Sequence, residues 1–253
     1  YDLDRNSLPA ANLVFLIDVS GSMQSANKLG LVKSSLKLLT KQLSGNDSIA
    51  IVTYAGSAGT VLEPVAGSEK RKIYEALDRL SARGSTWGEG GILAAYELAR
   101  ASFIENGINR VVLATDGDFN VGIDSVQELK KRIEQERKSG IGLTTLGFGM
   151  GNYNDAMLEQ LADVGNGNYA YIDNLNEARK VLVEEASSTL NTIASDVKIQ
   201  IEFNPAVVSE YRLIGYENRL LKREDFNNDK VDAGDIGAGH SVTALYEIAL
   251  KDS

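Results

Sequence analysis

Cysteine is absent from this chain of 253 residues, and histidine occurs once, at His240. Without cysteine the protein has no disulfide, no thiolate zinc site, no iron–sulfur cluster and no thiol nucleophile. Any Ser-His-Asp triad or histidine zinc site would have to use His240, which precedes a predicted strand and has no obvious carboxylate partner in sequence. We therefore interpret His240 as a structural residue.

A basic patch and a long apolar run are also missing. Lysine and arginine number 26 against 35 for aspartate and glutamate, which gives a formal net charge of −9. Because nucleic-acid binding requires clustered basic residues that neutralise phosphates, no nucleic-acid partner is expected. No stretch reaches the length of about 18 apolar residues that a membrane span needs. Tyr1 opens no signal peptide, so neither a transmembrane nor a targeting segment is predicted in this sequence.

What the chain does have is a regular alternation of apolar strands and amphipathic helices. Strands are predicted at 13–18, 48–54, 60–65, 110–115, 141–148 and 167–172. Apolar stripes at helical spacing predict helices at 28–43, 69–80, 92–103, 124–138, 154–164 and 174–194. A Gly-rich turn between 48–54 and 60–65 favours an antiparallel edge pair. The alternation predicts an α/β fold with a doubly wound, mostly parallel sheet that is flanked by helices.

The pattern changes from Asp196 onward. Further strands are predicted at 198–203, 211–216 and 241–250. The last two are separated by a polar loop at 222–239, and no helix is predicted between them, so a small antiparallel β appendage is expected. The sequence is therefore divided into a main domain, 1–195, and a β-rich C-terminal extension, 196–253.

Oxygen-bearing side chains follow the first strand. The run LVFLIDVSGSM contains Asp18, Ser20 and Ser22, and Gly21 allows the backbone to turn between the two serines. A tight turn points both hydroxyls the same way, with Asp18 behind them. Such oxygen clusters suit hard cations such as Mg²⁺. The alternative is an ordinary polar turn, because Asp, Ser and Gly are common turn residues.

Two more oxygen ligands are expected at the same edge of the sheet. Asp116 ends strand 110–115, and ligands of parallel sheets bind at the carboxyl ends of the strands. Thr86 lies in a Gly-rich loop before the third helix, and glycines let the backbone approach a ligand closely. Three separate loops thus supply the candidate metal ligands Asp18, Ser20, Ser22, Thr86 and Asp116.

This combination resembles the von Willebrand factor type A domain and its metal-ion-dependent adhesion site. The matching residues, in the family's order, are Asp18, Ser20 and Ser22, then Thr86 in its Gly-rich loop, then Thr115, Asp116 and Gly117. The resemblance covers 11–194, about three quarters of the chain. The later runs FNPAVV (203–208) and RLIGYEN (212–218) also resemble a bacterial subgroup of type A domain proteins that carries a C-terminal extension.

The resemblance implies a divalent-metal-dependent protein-binding module for adhesion or assembly. Ser20, Ser22 and, in a ligand-engaged state, Thr86 would bind the ion directly, and Asp18 and Asp116 would act mostly through water. The implied ion is Mg²⁺, with Mn²⁺ or Ca²⁺ as alternatives, and a carboxylate of an Asp or Glu on a partner protein would complete its coordination. An export or lipoprotein segment commonly precedes the domain in the bacterial subgroup. The resemblance therefore implies an extracytoplasmic location, periplasmic or at the cell surface, with a lipid anchor as one option.

Trp87 departs from the family pattern, which usually has a small or polar residue after the threonine. One interpretation makes Trp87 a partner-binding anchor, since buried aromatic residues dominate interface hot spots and its presence would alter which partner fits. The other interpretation is that its ring packs back on the Gly-rich loop. The sequence leaves both open.

A Mg²⁺-dependent hydrolase or phosphatase is the competing functional class, because an Asp at the carboxyl edge with a divalent ion also serves phosphoryl transfer. The phosphatase pattern needs a second aspartate two residues after Asp18, and that position is Ser20. No general base other than Asp116 or Glu89 is evident, so catalysis is not expected. A structural domain with a vestigial site is a third alternative, which the complete five-residue set disfavours.

Overall fold

A six-stranded sheet with its first strand near the centre organises the structure. The computed structural model describes residues 9–84, 88–117, 125–149, 155–184, 192–215, 221–228, 234–237 and 243–251. The strands of the main sheet are β1 (Ala11–Asp18), β2 (Ser48–Tyr54), β3 (Ala58–Ala66), β4 (Ile108–Thr115), β5 (Ile141–Phe148) and β6 (Tyr169–Ile172). Their order across the sheet is β3-β2-β1-β4-β5-β6.

The sheet is parallel except at one edge. Strand β1 pairs in parallel with both β2 and β4, and β5 and β6 continue in the same direction. Strand β3 pairs antiparallel with β2, which confirms the predicted edge pair. The chain leaves β1 towards β2 on one side and returns to β4 on the other, so the strand order reverses between β1 and β4. This reversal is where parallel sheets place their ligands.

Helices cover both faces of the sheet. They are α1 (Leu31–Lys41), α2 (Lys70–Arg79), α3 (Gly88–Ala101), α4 (Ser125–Lys138), α5 (Asp155–Val164) and α6 (Leu175–Arg179). Successive β1 side chains point to opposite faces, so Phe15 packs in the cluster that contains Leu36 of α1, and Leu16 packs in the cluster that contains Ile92 of α3. The prediction of a doubly wound α/β sheet is confirmed. None of the helices in the described ranges is long and apolar enough to cross a membrane.

The last predicted helix of the main domain is shorter than the sequence suggested. Helix α6 and a π-helical turn at Lys180–Glu184 replace the first part of the predicted helix 174–194, but Thr192–Val197 is a strand, β7. The prediction of helix as far as residue 194 was therefore wrong. The β-branched residues in Thr192–Val197 favour strand.

The C-terminal part contains two small antiparallel pairs, one at the predicted strands 211–216 and 241–250 and one that was not predicted. Strand β7 pairs with β9 (Gly234–Gly237), which lies inside the predicted polar loop, and 198–203 is not a strand. Strand β8 (Val208–Ile214) pairs with β10 (Leu245–Leu250). The predicted strand at 198–203 was therefore wrong: Ile199 and Ile201 are 67% and 43% exposed, so the polar–apolar alternation there buries no face.

The close approach of α3 to the sheet generates a testable prediction. A Cβ added at Gly91 would lie 2.7 Å from the Cβ of Tyr54 and 3.1 Å from Cδ1 of Leu16, so Gly91→Ala must push the helix outward. We expect the free energy of unfolding, measured with urea, to fall by about 1–3 kcal/mol. Gly30→Ala is the matched control, because Gly30 has helical backbone angles and open space around it.

We expect Gly30→Ala to leave stability unchanged or to raise it by about 0.4–1 kcal/mol, since alanine restricts the unfolded chain. Equal effects of the two alanines would contradict the packing of α3 against Tyr54 described above.

Candidate metal site

The carboxylate of Asp18 lies at the carboxyl end of β1 and is fully buried. Its Oδ1 accepts a hydrogen bond from the backbone N–H of Ser20 at 2.8 Å. Its Oδ2 accepts from the hydroxyl of Tyr54 at 3.2 Å and from Oγ1 of Thr115 at 3.1 Å. Tyr54 ends β2 and Thr115 ends β4, the two strands that flank β1. The three donors therefore fix the carboxylate from both neighbouring strands and from the following turn.

The two serine hydroxyls lie side by side in that turn. Ser20 has an extended backbone, and a 3₁₀ turn follows at Gly21–Gln24. The Oγ atoms of Ser20 and Ser22 are 3.0 Å apart. Met23 is fully buried beneath the turn and anchors it to the core. The sequence spacing thus brings both hydroxyls together, as predicted.

The loop after α2 is hydrogen-bonded to the serine turn. The N–H of Gly21 donates to the carbonyl of Gly84 at 3.0 Å, and the N–H of Arg83 donates to the carbonyl of Val19 at 2.7 Å. Gly84 has a φ of 88°, a conformation that glycine adopts readily. These bonds hold the start of the Gly-rich loop beside the candidate ligands. Thr86 and Trp87 lie outside the described residues.

Asp116 follows β4 and is paired with a lysine. Its Oδ2 lies 2.7 Å from Nζ of Lys28, and only 3% of its side chain is exposed to solvent. The next residue, Gly117, has a φ of 92° and donates its N–H to Oγ1 of Thr115 at 3.2 Å. Thr115 thus links the turn after β4 to the carboxylate of Asp18.

Burial dominates the electrostatics of the site. It raises the pKa of Asp18, the hydrogen bonds from Ser20 oppose that rise, and the negative charge of Asp116 adds to it. Burial and the neighbouring charge of Asp18 raise the pKa of Tyr54 well above its usual range. Tyr54 therefore keeps its proton and acts as a hydrogen-bond donor. A cation placed here would favour the ionised form of Asp18.

The donor set fits a hard divalent cation. In the part of the chain that the structure describes, no group of three or more Asp, Glu, His or Cys side chains could hold a metal ion. A metal at this edge would therefore depend on the hydroxyls of Ser20 and Ser22 together with the carboxylates of Asp18 and Asp116. Neutral and anionic oxygens are the ligands that Mg²⁺ prefers.

Four of the five predicted ligands therefore come to one edge of the sheet. The fifth, Thr86, lies outside the described residues. Sequence reasoning did not assign roles to Tyr54 or Lys28. The signal for Tyr54 was its position at the end of a strand that neighbours β1, where a hydroxyl can reach the end of that strand. Lys28 carried no comparable signal, because it was assigned to the start of a helix.

An open groove lies beside the serine turn. It is lined by the end of β1, by the turn between β2 and β3, and by the end of α2 with its following loop. Two of its lining residues are Arg79 and Arg83. The groove therefore carries positive charge on a chain whose net charge is negative.

Comparison with known proteins identifies the family of this chain. The family model for the von Willebrand factor type A domain matches residues 12–185, and the model described as "Uncharacterized protein YfbK, C-terminal" matches 188–253. The chain is 57% identical over 250 residues to "Uncharacterized protein YfbK" of Escherichia coli (strain K12). That match covers 98% of this chain and 44% of the relative, so the chain spans less than half of the relative's length.

Two solved structures share the fold. One is an aerotolerance-related membrane protein from Bacteroides fragilis, with a TM-score of 0.57 and 24% identity over 70% of this chain and 98% of that one. The other is proximal thread matrix protein 1 from the mussel byssus, solved with zinc in its MIDAS motif. Its TM-score is 0.56, with 24% identity over 71% of this chain and 46% of that one. With the type A model matching most of the chain, this protein belongs to the von Willebrand factor type A domain family and is a bacterial type A protein with a C-terminal extension.

Proposed function

We propose that this protein is a binding module that recognises a partner protein through a shared divalent metal ion. The observation that carries the proposal is the pair of serine hydroxyls 3.0 Å apart, next to the carboxylates of Asp18 and Asp116 at the switch point of a parallel sheet. A bound ion would supply an electrophilic centre for an incoming carboxylate. Membership of the type A family supports this function at the coarser level of metal-dependent protein interaction.

The hydrogen bonds divide the roles of the proposed ligands. Both oxygens of Asp18 already accept hydrogen bonds from the protein, so Asp18 is suited to orient water and the turn more than to bind the ion directly. Ser20 and Ser22 have hydroxyls that face each other and are suited to direct coordination. By resemblance to the family, Thr86 would join them when a partner is bound, and Asp116 would act through water.

We propose Mg²⁺ as the ion, with Mn²⁺ and Ca²⁺ as alternatives. Mg²⁺ keeps several of its waters and takes few direct protein ligands, which suits a site with two hydroxyls and two carboxylates. The zinc in the mussel protein supports a divalent ion at the corresponding motif in that fold, without selecting the metal used here. Few direct anionic ligands leave the ion attractive to the Asp or Glu carboxylate of a partner.

We propose further that the site does not catalyse a reaction. A phosphatase would need a nucleophilic carboxylate, and the buried Asp18 is held by three hydrogen bonds at the end of β1. Tyr54 keeps its proton because its pKa is raised, so it is not a general base at neutral pH. Glu89 has a side chain outside the described part of the structure. Asp116, the other candidate base, is paired with Lys28 and only 3% of its side chain is exposed. The hydrolase alternative therefore lacks an available base or nucleophile in the described part of the chain.

Three further features stay proposals. The division into 1–195 and 196–253 follows the change of sequence pattern near Asp196. Trp87 is proposed as a contact to the partner, on the basis of its place beside Thr86 in sequence. An extracytoplasmic location, in the periplasm or at the cell surface, is supported by resemblance to the bacterial subgroup and by a structural relative that is described as a membrane protein.

The metal site is tested by calorimetric titration of Mg²⁺, Mn²⁺ and Ca²⁺ into protein stripped with a chelator. We expect the wild type to bind, and Asp18→Asn and Ser22→Ala to lose at least about tenfold in affinity, because each removes a ligand or its orienting charge. Asp18→Asn should still fold, since its amide can donate to the oxygens of Tyr54 and Thr115 and its carbonyl can accept from Ser20.

Ser25→Ala is the matched control for Ser22→Ala. Ser25 lies three residues further along, and its hydroxyl bonds to Asn27 in an exposed position. We expect this variant to bind metal like the wild type. Absence of binding by the wild type, also when acetate is added as a carboxylate mimic, would remove the metal-site proposal and leave only the fold.

The partner chemistry is tested with a displayed peptide library that is selected in Mg²⁺ and in chelator. We expect the Mg²⁺-dependent peptides to share an Asp or Glu, and its change to Asn or Gln to abolish binding, because an amide is a poor replacement for a charged metal ligand. Arg83→Glu should weaken these peptides by about tenfold while metal affinity stays the same, since Arg83 lines the groove beside the site. Selection of peptides without acidic residues would contradict the proposed recognition, and Mg²⁺-dependent turnover of p-nitrophenyl phosphate would favour the hydrolase.

A further inference from the structure

Lys28 places a positive charge inside the proposed metal site. It lies in a π-helical turn, Ala26–Gly30, between the serine turn and α1. Its Nζ is 2.7 Å from Oδ2 of Asp116, and 23% of its side chain is exposed. This ion pair joins the segment after β1 to the end of β4, two elements that are 88 residues apart in sequence. The lysine therefore neutralises one of the two carboxylates that a metal ion would use.

The position of the lysine side chain is fixed by the end of β5. A Cβ added at Gly149 would lie 2.8 Å from Cγ and 2.9 Å from Cε of Lys28, so the lysine stem fits against the backbone where a side chain is missing. Gly149 has a φ of 88°, and its carbonyl accepts a hydrogen bond from the hydroxyl of Tyr171 on β6. The aliphatic stem of Lys28 thus packs against Gly149, and this packing directs the ammonium group towards Asp116.

The two carboxylates of the site favour a cation, and the ammonium of Lys28 already supplies one. Asp18 and Asp116 repel each other, which is one of the causes that raise the pKa of Asp18. The ammonium of Lys28 offsets this repulsion in the absence of metal. A divalent ion that enters the same edge meets an ammonium that already occupies Oδ2 of Asp116. Two cations that share one carboxylate repel each other, so the ion must either displace the ammonium or bind beside it at a cost.

We propose that Lys28 is a tethered cation that stabilises the metal-free site and competes with the divalent ion for Asp116. The proposal rests on the proposed function of the site and adds its regulation. Lys28 lowers the affinity for metal alone, and its positive charge favours the later arrival of an acidic partner. The affinity for the metal ion is then expected to be higher when the acidic partner is present than when the ion binds alone.

The experiment measures Mg²⁺ affinity by calorimetry for the full chain and for Lys28→Met, Lys28→Gln and Lys28→Arg. We expect Lys28→Met and Lys28→Gln to bind Mg²⁺ at least about tenfold more tightly than the wild type, because the competing charge is gone. Lys28→Arg keeps the charge and should bind like the wild type. The glutamine can donate a hydrogen bond to Asp116, so it provides a neutral variant if the methionine variant does not fold.

Lys37→Met is the matched control. Lys37 of α1 pairs with Asp78 of α2 at 2.6 Å, so its loss changes the charge of the chain by the same amount at a more exposed pair. We expect its Mg²⁺ affinity to equal that of the wild type. A second readout is thermal unfolding in chelator, in which Lys28→Met should unfold at a lower temperature than wild type and should regain more stability when Mg²⁺ is added.

The possible outcomes separate this inference from the proposed function. Unchanged Mg²⁺ affinity in both neutral Lys28 variants, with binding still weakened by Asp18→Asn, would overturn the competition and leave the metal site intact. Weaker binding in those variants would also overturn it and would make Lys28 a supporting residue. If neither the wild type nor any Lys28 variant binds metal, also when acetate is added, the proposed function fails and the competition fails with it.

Discussion

A buried carboxylate at the end of β1 is the constraint on which the site depends. Asp18 is fully buried, and an isolated charge in such a place would be strongly unfavourable. Three donors offset that cost, and they come from the serine turn, from β2 and from β4. Because the donors belong to three separate segments, the position of Asp18 requires the two neighbouring strands to end in register with β1. The same contacts that satisfy the carboxylate therefore assemble the edge of the sheet where a ligand can bind.

The charge of the second carboxylate, Asp116, is compensated in a different way from that of Asp18. Asp18 is satisfied by hydrogen bonds from neutral groups, which orient it and leave its charge in place. Asp116 is satisfied by the ammonium of Lys28, which cancels its charge. Under the proposed function, the first carboxylate is an orienting group and the second is the point where two cations compete. Ser20 and Ser22 contribute oxygens without charge and therefore add no repulsion to the pair of carboxylates.

Much of this arrangement can be predicted from the sequence, because buried strands appear there as runs of apolar residues. Strand β5 has the predicted bounds, and the ends of β1 and β4 were located by the apolar runs that precede Asp18 and Asp116. The strand β7 was missed because the predicted helix, whose apolar stripe lies within 178–186, was extended to residue 194, beyond the start of Thr192–Val197. The Lys28–Asp116 pair was missed for a different reason: a lysine that meets a residue 88 positions away depends on tertiary packing, which local periodicity does not report.

Under the proposed function, the charge balance of the site favours a partner with a carboxylate. With Asp18, Asp116 and Lys28 all ionised, the metal-free site carries one net negative charge. A divalent ion reverses this to one net positive charge, and the carboxylate of an acidic partner returns it to neutrality. Without Lys28 the metal-bound site would already be neutral, and the electrostatic attraction for a partner carboxylate would be weaker. Under the proposed function the lysine therefore acts against metal binding and in favour of partner binding, which is the combination that couples the two events.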